Sequence, residues 1–206
     1  MITIIDYNAG NLTSVRRALE HLGLACQISA DPDQVRRAER VIFPGVGHAA
    51  SAMHVLQMRG LDGALRSAYA QGTPILGICL GSQIVLSHSD EGDTPCVGLL
   101  EGNCPRFALA DPLLKIPHMG WNTVEPIRPH FILKDLGPGD EFYFVHSYYP
   151  QPADPRQVMA VAEYESRFPA AIGWRNLFAM QFHPEKSGEA GLALLRNFAA
   201  WDGSSA

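Results

Sequence analysis

TPILGICLGSQ, Thr73 to Gln83, decides how the chain is read. An apolar β-type run at residues 74–78 passes through G-I-C-L-G into a helical pattern. A strand that ends in a tight turn on a cysteine lifts that side chain above the carboxyl edge of a sheet, as a nucleophile elbow does. Gly77 and Gly81 remove the Cβ atoms that would meet neighbouring backbone in such a turn. Cys79 then lies at a helix N-terminus, where the local dipole favours thiolate. The backbone N–H of Leu80 is placed to donate to an oxyanion. A small cysteine packed in a strand–helix turn gives the same pattern, so the elbow acquires meaning only from its partners.

Outward from this stretch, short apolar β-type runs alternate with helical patterns. Residues 2–6, 24–28 and 40–45 read as strands and 12–22 as an amphipathic helix. Asp31-Pro32 caps a short helix, and GALRSAYAQ (63–71) lies in another, ahead of the strand at 74–78. Continuous apolar strands bounded by turn residues are covered on both faces, which implies a parallel sheet. Strand–helix alternation then predicts an α/β fold: an open three-layer, mostly parallel sheet flanked by helices, with right-handed crossovers.

The second half reads differently. Residues 90–114 are rich in Gly, Pro and Asp, which predicts loops and short edge strands. Runs at 141–149, 158–164, 170–174 and 177–182 are strands close in sequence, so antiparallel pairing is expected in the C-terminal half. WRN (174–176) forms a hairpin turn, and a closing helix near 187–201 places Leu192, Leu195 and Phe198 on one face. With no repeat, low-complexity tract or interdomain linker, residues 1–206 read as one domain.

Composition excludes several functions. With 21 acidic residues against 16 Lys+Arg, the net charge is −5. The basic pairs Arg16-Arg17 and Arg36-Arg37 read as solvated helix faces, so no broad nucleic-acid surface is expected. The opening MITIID carries no basic leader, and no apolar run is long enough for a signal peptide or membrane span. Four cysteines without a C-x-x-C pair fit reduced thiols in the cytoplasm, with Cys96 and Cys104 as free packing residues. His118, His130 and His146 lack ligand-type spacing and read as scatter, so neither a metal site nor a cofactor is expected.

A cysteine nucleophile needs a base, and the base an orienting group. His183, in AMQFHPEKS, follows a strand ending at Phe182, and Glu185 stands two residues on, across Pro184. If the chain stays extended through the proline, the two side chains point the same way. One imidazole nitrogen then bonds the carboxylate while the other faces the thiol. Alone, H-P-E is an ordinary surface turn; with the cysteine elbow upstream it predicts a Cys79–His183–Glu185 triad. FPGVG (43–47) follows another strand, and its glycines around Val46 let backbone N–H groups of Val46 and Gly47 turn toward an anion.

In order and spacing, PGVG, GICLGSQ and FHPEKS resemble the class I, triad-type glutamine amidotransferases, and together they span nearly the whole chain. The resemblance implies hydrolysis of the glutamine side-chain amide through a thioester on Cys79. It also implies that Gln83, Glu91, Ser147 and Tyr148 hold the substrate, Glu91 through its α-ammonium group and Ser147–Tyr148 through backbone. About 200 residues leave no room for a synthase domain, so the ammonia acceptor must be bound by another chain.

IIDYNAGN (4–11), PHMGWN (117–122), YFVHSYY (143–149) and the lysine of HPEKS are similar to amidotransferase subunits of imidazole glycerol phosphate synthases. That likeness implies a (β/α)8 barrel cyclase as partner, and histidine biosynthesis as the pathway. Asn11, Trp121, Asn122, Tyr143 and Lys186 are then expected at the partner interface, with Trp121 following a Gly-containing loop. Two alternatives stay open: a subunit of another synthase, such as anthranilate or aminodeoxychorismate synthase, which usually lacks PHMGWN, and a cysteine-elbow chaperone or redox sensor, which needs neither H-P-E nor Gln83.

Overall fold

The computed structural model describes residues 1–8 and 10–204; Ala9 of IIDYNAGN and the last two residues of the predicted domain lie outside the described residues. Four strands open the chain: β1 (Ile2–Ile5), β2 (Cys26–Ser29), β3 (Arg40–Gly45) and β4 (Ile75–Cys79). They are followed by β5 (His118–Thr123), β6 (Glu125–Pro126), β7 (Glu141–His146), β8 (Val158–Tyr164), β9 (Ser166–Trp174) and β10 (Leu177–Met180). The helices are α1 (Leu12–His21), α2 (Pro32–Arg36), α3 (Ala49–Met58), α4 (Leu61–Ala70), α5 (Leu80–Ile84) and α6 (Gly188–Ala200).

The main sheet runs β2-β1-β3-β4-β10-β9-β8-β6. Pairing is parallel from β2 through β10 and antiparallel from β10 to β6. The central parallel strands β1, β3, β4 and β10 carry buried apolar residues on both sides, so successive residues feed opposite layers. Ile4, Ile42, Leu76, Ile78, Phe178 and Met180 pack with Val15 and Leu19 of α1 and Leu194, Leu195 and Phe198 of α6. Ile5, Val41, Phe43, Ile75, Leu177 and Ala179 pack instead with Val35 of α2, Met53 and Leu56 of α3 and Leu65 of α4. Burying each such side chain contributes roughly 1.5–3 kcal/mol, which makes this alternation the main determinant of the three layers.

Side-chain caps start two of the helices. Asp31 accepts a 2.8 Å bond from the Asp33 N–H at the start of α2, with Pro32 in the first turn. His48 caps α3 through a 3.2 Å bond from the Ala50 N–H; this helix has no counterpart in the sequence reading. The strand read over 141–149 stops at His146 and does not join the late antiparallel strands. It pairs with β5, the PHMGWN stretch, in a separate two-stranded sheet. Trp121 thus lies within a strand, not after a loop. Arg175 and Asn176 form the expected turn between β9 and β10, with Arg175 at φ 55°. No helix among the described residues is long and apolar enough to cross a membrane.

Candidate active site

The parallel strands place their carboxyl ends together, which is where open α/β sheets gather ligands. Cys79 closes β4 and opens α5, a helix of five residues, all buried. Its backbone sits at φ 54°, ψ −111°, so the turn is sharp and the nucleophile itself adopts the left-handed half of the map. The neighbouring glycines explain how the turn fits. A Cβ on Gly81 would stand 1.9 Å from the Phe43 carbonyl oxygen, and one on Gly77 2.9 Å from the Ala179 Cβ. Cys79 is 6% exposed, and its sulfur has Gln181 Nε2 at 3.8 Å and the Val145 carbonyl oxygen at 4.0 Å.

His183 reaches the thiol from the loop after β10. Its N–H donates to the Tyr143 carbonyl of β7 at 2.9 Å. Ser187 Oγ ties the same backbone down, accepting from the Tyr143 N–H at 3.0 Å and donating to the His183 carbonyl at 2.6 Å. The chain does not stay extended through the proline: Pro184–Lys186 form a single 3-10 turn, started by an extended His183. The turn still brings His183 Nδ1 to 2.7 Å from Glu185 Oε1, and both side chains are fully buried. His183 Nε2 makes no well-formed hydrogen bond and is left for the sulfur or a departing amine. Burial works against a charged imidazole here, but the Cys79 sulfur and then Glu185 outweigh it and raise its pKa to about 9. That favours a proton held on His183.

A cleft of about 240 Å³ opens above Cys79, and Val46, Gly47, Leu80, Gln83, Glu91, Ser147 and Tyr148 all line it. Every residue read as an oxyanion donor or substrate contact therefore shares one cavity with the nucleophile. Gly47 is at φ 106°, which glycine adopts without strain. Gln83 Nε2 donates to the Tyr148 carbonyl and to Gln181 Oε1, both at 2.9 Å. One oxygen of Glu91 is already engaged, accepting from the Ala49 N–H at 2.7 Å at the start of α3. A larger cleft, about 320 Å³, lies by the β9–β10 turn among Arg128, Arg156 and Trp174 and shares no residue with this one.

The residues expected at a partner interface divide. Trp121 is 54% exposed and meets Tyr143 edge-on at 6.2 Å, while Lys186 Nζ lies 5.7 Å from the Tyr143 ring centre, so these three form one patch beside His183. Asn122 does not join them: successive strand residues face opposite sides, and its amide turns inward to the Glu163 carbonyl at 2.8 Å. Asn11 donates to the Glu185 carboxylate, tying it to the triad.

Sequence reading missed three contributors. Gln181, two residues before His183, bridges Gln83 and the thiol. Tyr7 is buried against Phe43 with its hydroxyl unpartnered. His118 and His146 are hydrogen-bonded to each other at 3.0 Å rather than scattered. Cys96 and Cys104 do pack as free thiols; burial pushes Cys96 up to about 12 and Cys104 well above the usual thiol range. Among the described residues, no group of three or more His, Cys, Asp or Glu is arranged to hold a metal ion.

An α/β sheet with a cysteine elbow and a His–Glu pair at its carboxyl edge defines a class, and the chain belongs to it: the glutamine amidotransferase class-I family model matches residues 3–201. A crystal structure of a glutamine amidotransferase superposes with a TM-score of 0.74 at 18% identity, covering 98% of this chain and 100% of that one. Within the class, the chain is similar to HisH subunits of imidazole glycerol phosphate synthase. It is 50% identical to that of Nitratidesulfovibrio vulgaris strain Miyazaki F, over 98% of this chain and 97% of the relative. Identity to the Thiobacillus denitrificans HisH subunit is 44%, over 98% and 91%.

Proposed function

We propose that this chain is the glutaminase subunit of an imidazole glycerol phosphate synthase, acting in the cytoplasm as one amidotransferase domain over residues 1–206. The observation that carries the reading is Cys79 in the cleft lined by Gln83, Glu91, Ser147 and Tyr148, with the bonded pair His183–Glu185 acting on it from beside the cleft. The Cys79 thiolate attacks the side-chain amide carbon of glutamine, and the carbonyl electron pair moves onto oxygen. The Leu80 N–H, with an N–H from Val46 or Gly47, stabilises that oxyanion; losing one such donor typically costs about 100- to 1,000-fold in rate. As the carbonyl re-forms, the C–N bond breaks and the His183 imidazolium protonates the leaving nitrogen, releasing ammonia and a γ-glutamyl thioester. Neutral His183 then takes a proton from water, whose oxygen attacks the thioester, and the thiolate leaves as glutamate forms.

Ammonia would pass to a separate (β/α)8 barrel cyclase, and the Trp121–Tyr143–Lys186 patch beside His183 supports an exit on that side. The test is glutamate release by the chain alone, with the cyclase, and with cyclase plus its nucleotide ligand. Strong activation only in the last condition is expected. Activity indifferent to the cyclase would remove the assignment to this synthase, and silence of a folded chain in every condition would refute the triad.

A further inference from the structure

Two buried histidines on the β5–β7 pair take no part in the chemistry above. His118 and His146 are 4% and 5% exposed and stand directly opposite each other in the antiparallel register. Their rings join through His118 Nδ1 and His146 Nε2 at 3.0 Å. The direction of that bond follows from its neighbours. His146 Nδ1 lies 2.7 Å from the Tyr148 carbonyl oxygen, which only accepts, so the proton is on Nδ1. Nε2 of the neutral ring is then an acceptor, and His118 must donate to it from Nδ1. That leaves His118 Nε2 as an acceptor, approached by Asn122 Nδ2 at 3.4 Å.

The relay ends on the oxygen that Gln83 also uses. The Tyr148 carbonyl accepts from His146 Nδ1 and from Gln83 Nε2, which fills both its lone pairs. From Gln83 the network continues to Gln181 and on to the Cys79 sulfur. The casing around the pair is aromatic: Tyr164 stacks on His118 at 4.2 Å, with Phe107, Phe144 and Phe168 around it. Burial in this casing lowers His118 to about 4 and His146 to about 3, so both rings are neutral at neutral pH and the donor direction holds.

We propose that the His118–His146 pair is a positioning device for the glutamine-binding wall, fixing the Ser147–Tyr148 backbone and, through the shared carbonyl, the Gln83 amide that presents the substrate to Cys79. The inference rests on the cleft being the glutaminase site. His146 lines the cleft and His118 stands behind it, and neither moves a proton in the steps above. Breaking the relay should therefore raise the KM for glutamine about ten- to a hundredfold, as expected where a buried carbonyl loses its donor, and lower kcat much less.

The experiment measures glutamine kinetics under whichever condition activates the wild-type protein, for His118→Phe, His146→Phe and His118→Asn. The phenylalanines keep aromatic bulk and remove the donors; the asparagine restores an amide donor where Nδ1 stood. Alkylation of Cys79 by iodoacetamide, which needs no glutamine pocket, should proceed at the wild-type rate in both His118 variants, whose changed side chain lies outside the cleft. Expected are a raised KM in both phenylalanine variants and recovery in His118→Asn. A parallel reading is the ring tautomer by nitrogen-15 NMR: both neutral rings should carry their proton on Nδ1. Wild-type KM in folded His118→Phe, an Nε2 proton on either ring, or a joint fall of kcat and alkylation rate with unchanged KM would overturn the inference. A wild-type protein that never turns over glutamine would instead fell the glutaminase reading and the inference with it.

Discussion

Cys79 occupies a backbone conformation that glycine tolerates and other residues resist, and this can be measured by replacing it with alanine and with glycine. At φ 54°, ψ −111°, its Cβ crowds the adjoining peptides. Holding a non-glycine residue in such a region costs on the order of 1–3 kcal/mol. Both variants lose the sulfur, so its contacts to Gln181 and Val145 cancel when the two are compared. What remains is strain relief in the glycine variant, set against its greater backbone entropy, roughly 0.5–1 kcal/mol, and the loss of one buried methyl, about 0.8 kcal/mol.

Ala179 supplies the control, being fully buried on the adjacent β10, in register with Gly77 and outside the positive-φ residues. There the change from alanine to glycine should cost the unrelieved sum, about 1.3–1.8 kcal/mol. At position 79 relief of about 1–3 kcal/mol of strain leaves between a loss of about 0.8 and a gain of about 1.7 kcal/mol, and the difference between the sites measures the strain. Urea unfolding followed by circular dichroism provides the free energies, and in a chain of this length 1 kcal/mol corresponds to about 2–4 °C in Tm. Neither Cys79 variant should release glutamate. If glycine is worse than alanine at position 79 by as much as at 179, the elbow is unstrained and the reasoning fails. If the gap closes, the chain gives up stability to hold a thiol above the sheet edge, a common trade at active sites.

Three further outcomes follow from the packing. Gly81→Ala should destabilise the fold by about 3 kcal/mol or more, because its Cβ would lie 1.9 Å from the Phe43 carbonyl oxygen of β3, an atom that cannot retreat without breaking the β3–β4 pairing; a urea midpoint near wild type would contradict this. Tyr7→Phe should be neutral or stabilising by up to about 1 kcal/mol, since the hydroxyl it removes is buried and unpartnered; a loss above 1 kcal/mol in the same titration would show that the hydroxyl is bonded. Acid should destabilise the protein between pH 6.5 and about 4. Burial holds His118 and His130 down to about 4 and His146 to about 3, so the unfolded chain binds more protons in that window and stability falls as pH falls. At pH 5 each contributes on the order of 2 kcal/mol of loss. His183, raised to about 9, acts in the opposite sense but only above pH 6.5, its stabilisation being lost as pH climbs through 9. His130→Asn keeps the cap on the Ile132 N–H while removing one titration, so its stability should vary less steeply with pH; an unchanged slope would refute the assignment.

How much of this was legible in the sequence depends on where each residue's partners lie. The parallel strands were readable because a strand covered on both faces is apolar throughout, and β3 falls at the residues expected, 40–45; the antiparallel β8 does so too, at 158–164. The grouping of Cys79, His183 and Glu185 was readable because elbow and H-P-E are local patterns. Helix α3 was missed, its buried Ala49, Ala52 and Met53 lying within an otherwise mixed stretch. Gln181 was missed because its bonds cross about a hundred residues of chain, and no spacing rule reaches that far.

The β5 strand defeated periodicity for a more specific reason. His118 and Asn122 lie on the side that turns into the protein, whereas Met119 and Trp121, 62% and 54% exposed, face out. A strand pattern assigns the apolar side to the core, and here that assignment is inverted. Inversion is costly for a lone chain: the polar side must find buried partners, and the apolar side gains nothing in water. The histidine relay meets the first requirement. A covering surface would meet the second, and large aromatic and methionine side chains are what the centre of a protein interface is enriched in. Tyr143 and Lys186 continue the patch from Trp121 toward His183, so a subunit seated there would cover the misplaced apolar face and adjoin the point where ammonia is released. The same inversion that hid the strand from sequence reading therefore supports the proposed partner and a seat for it beside His183.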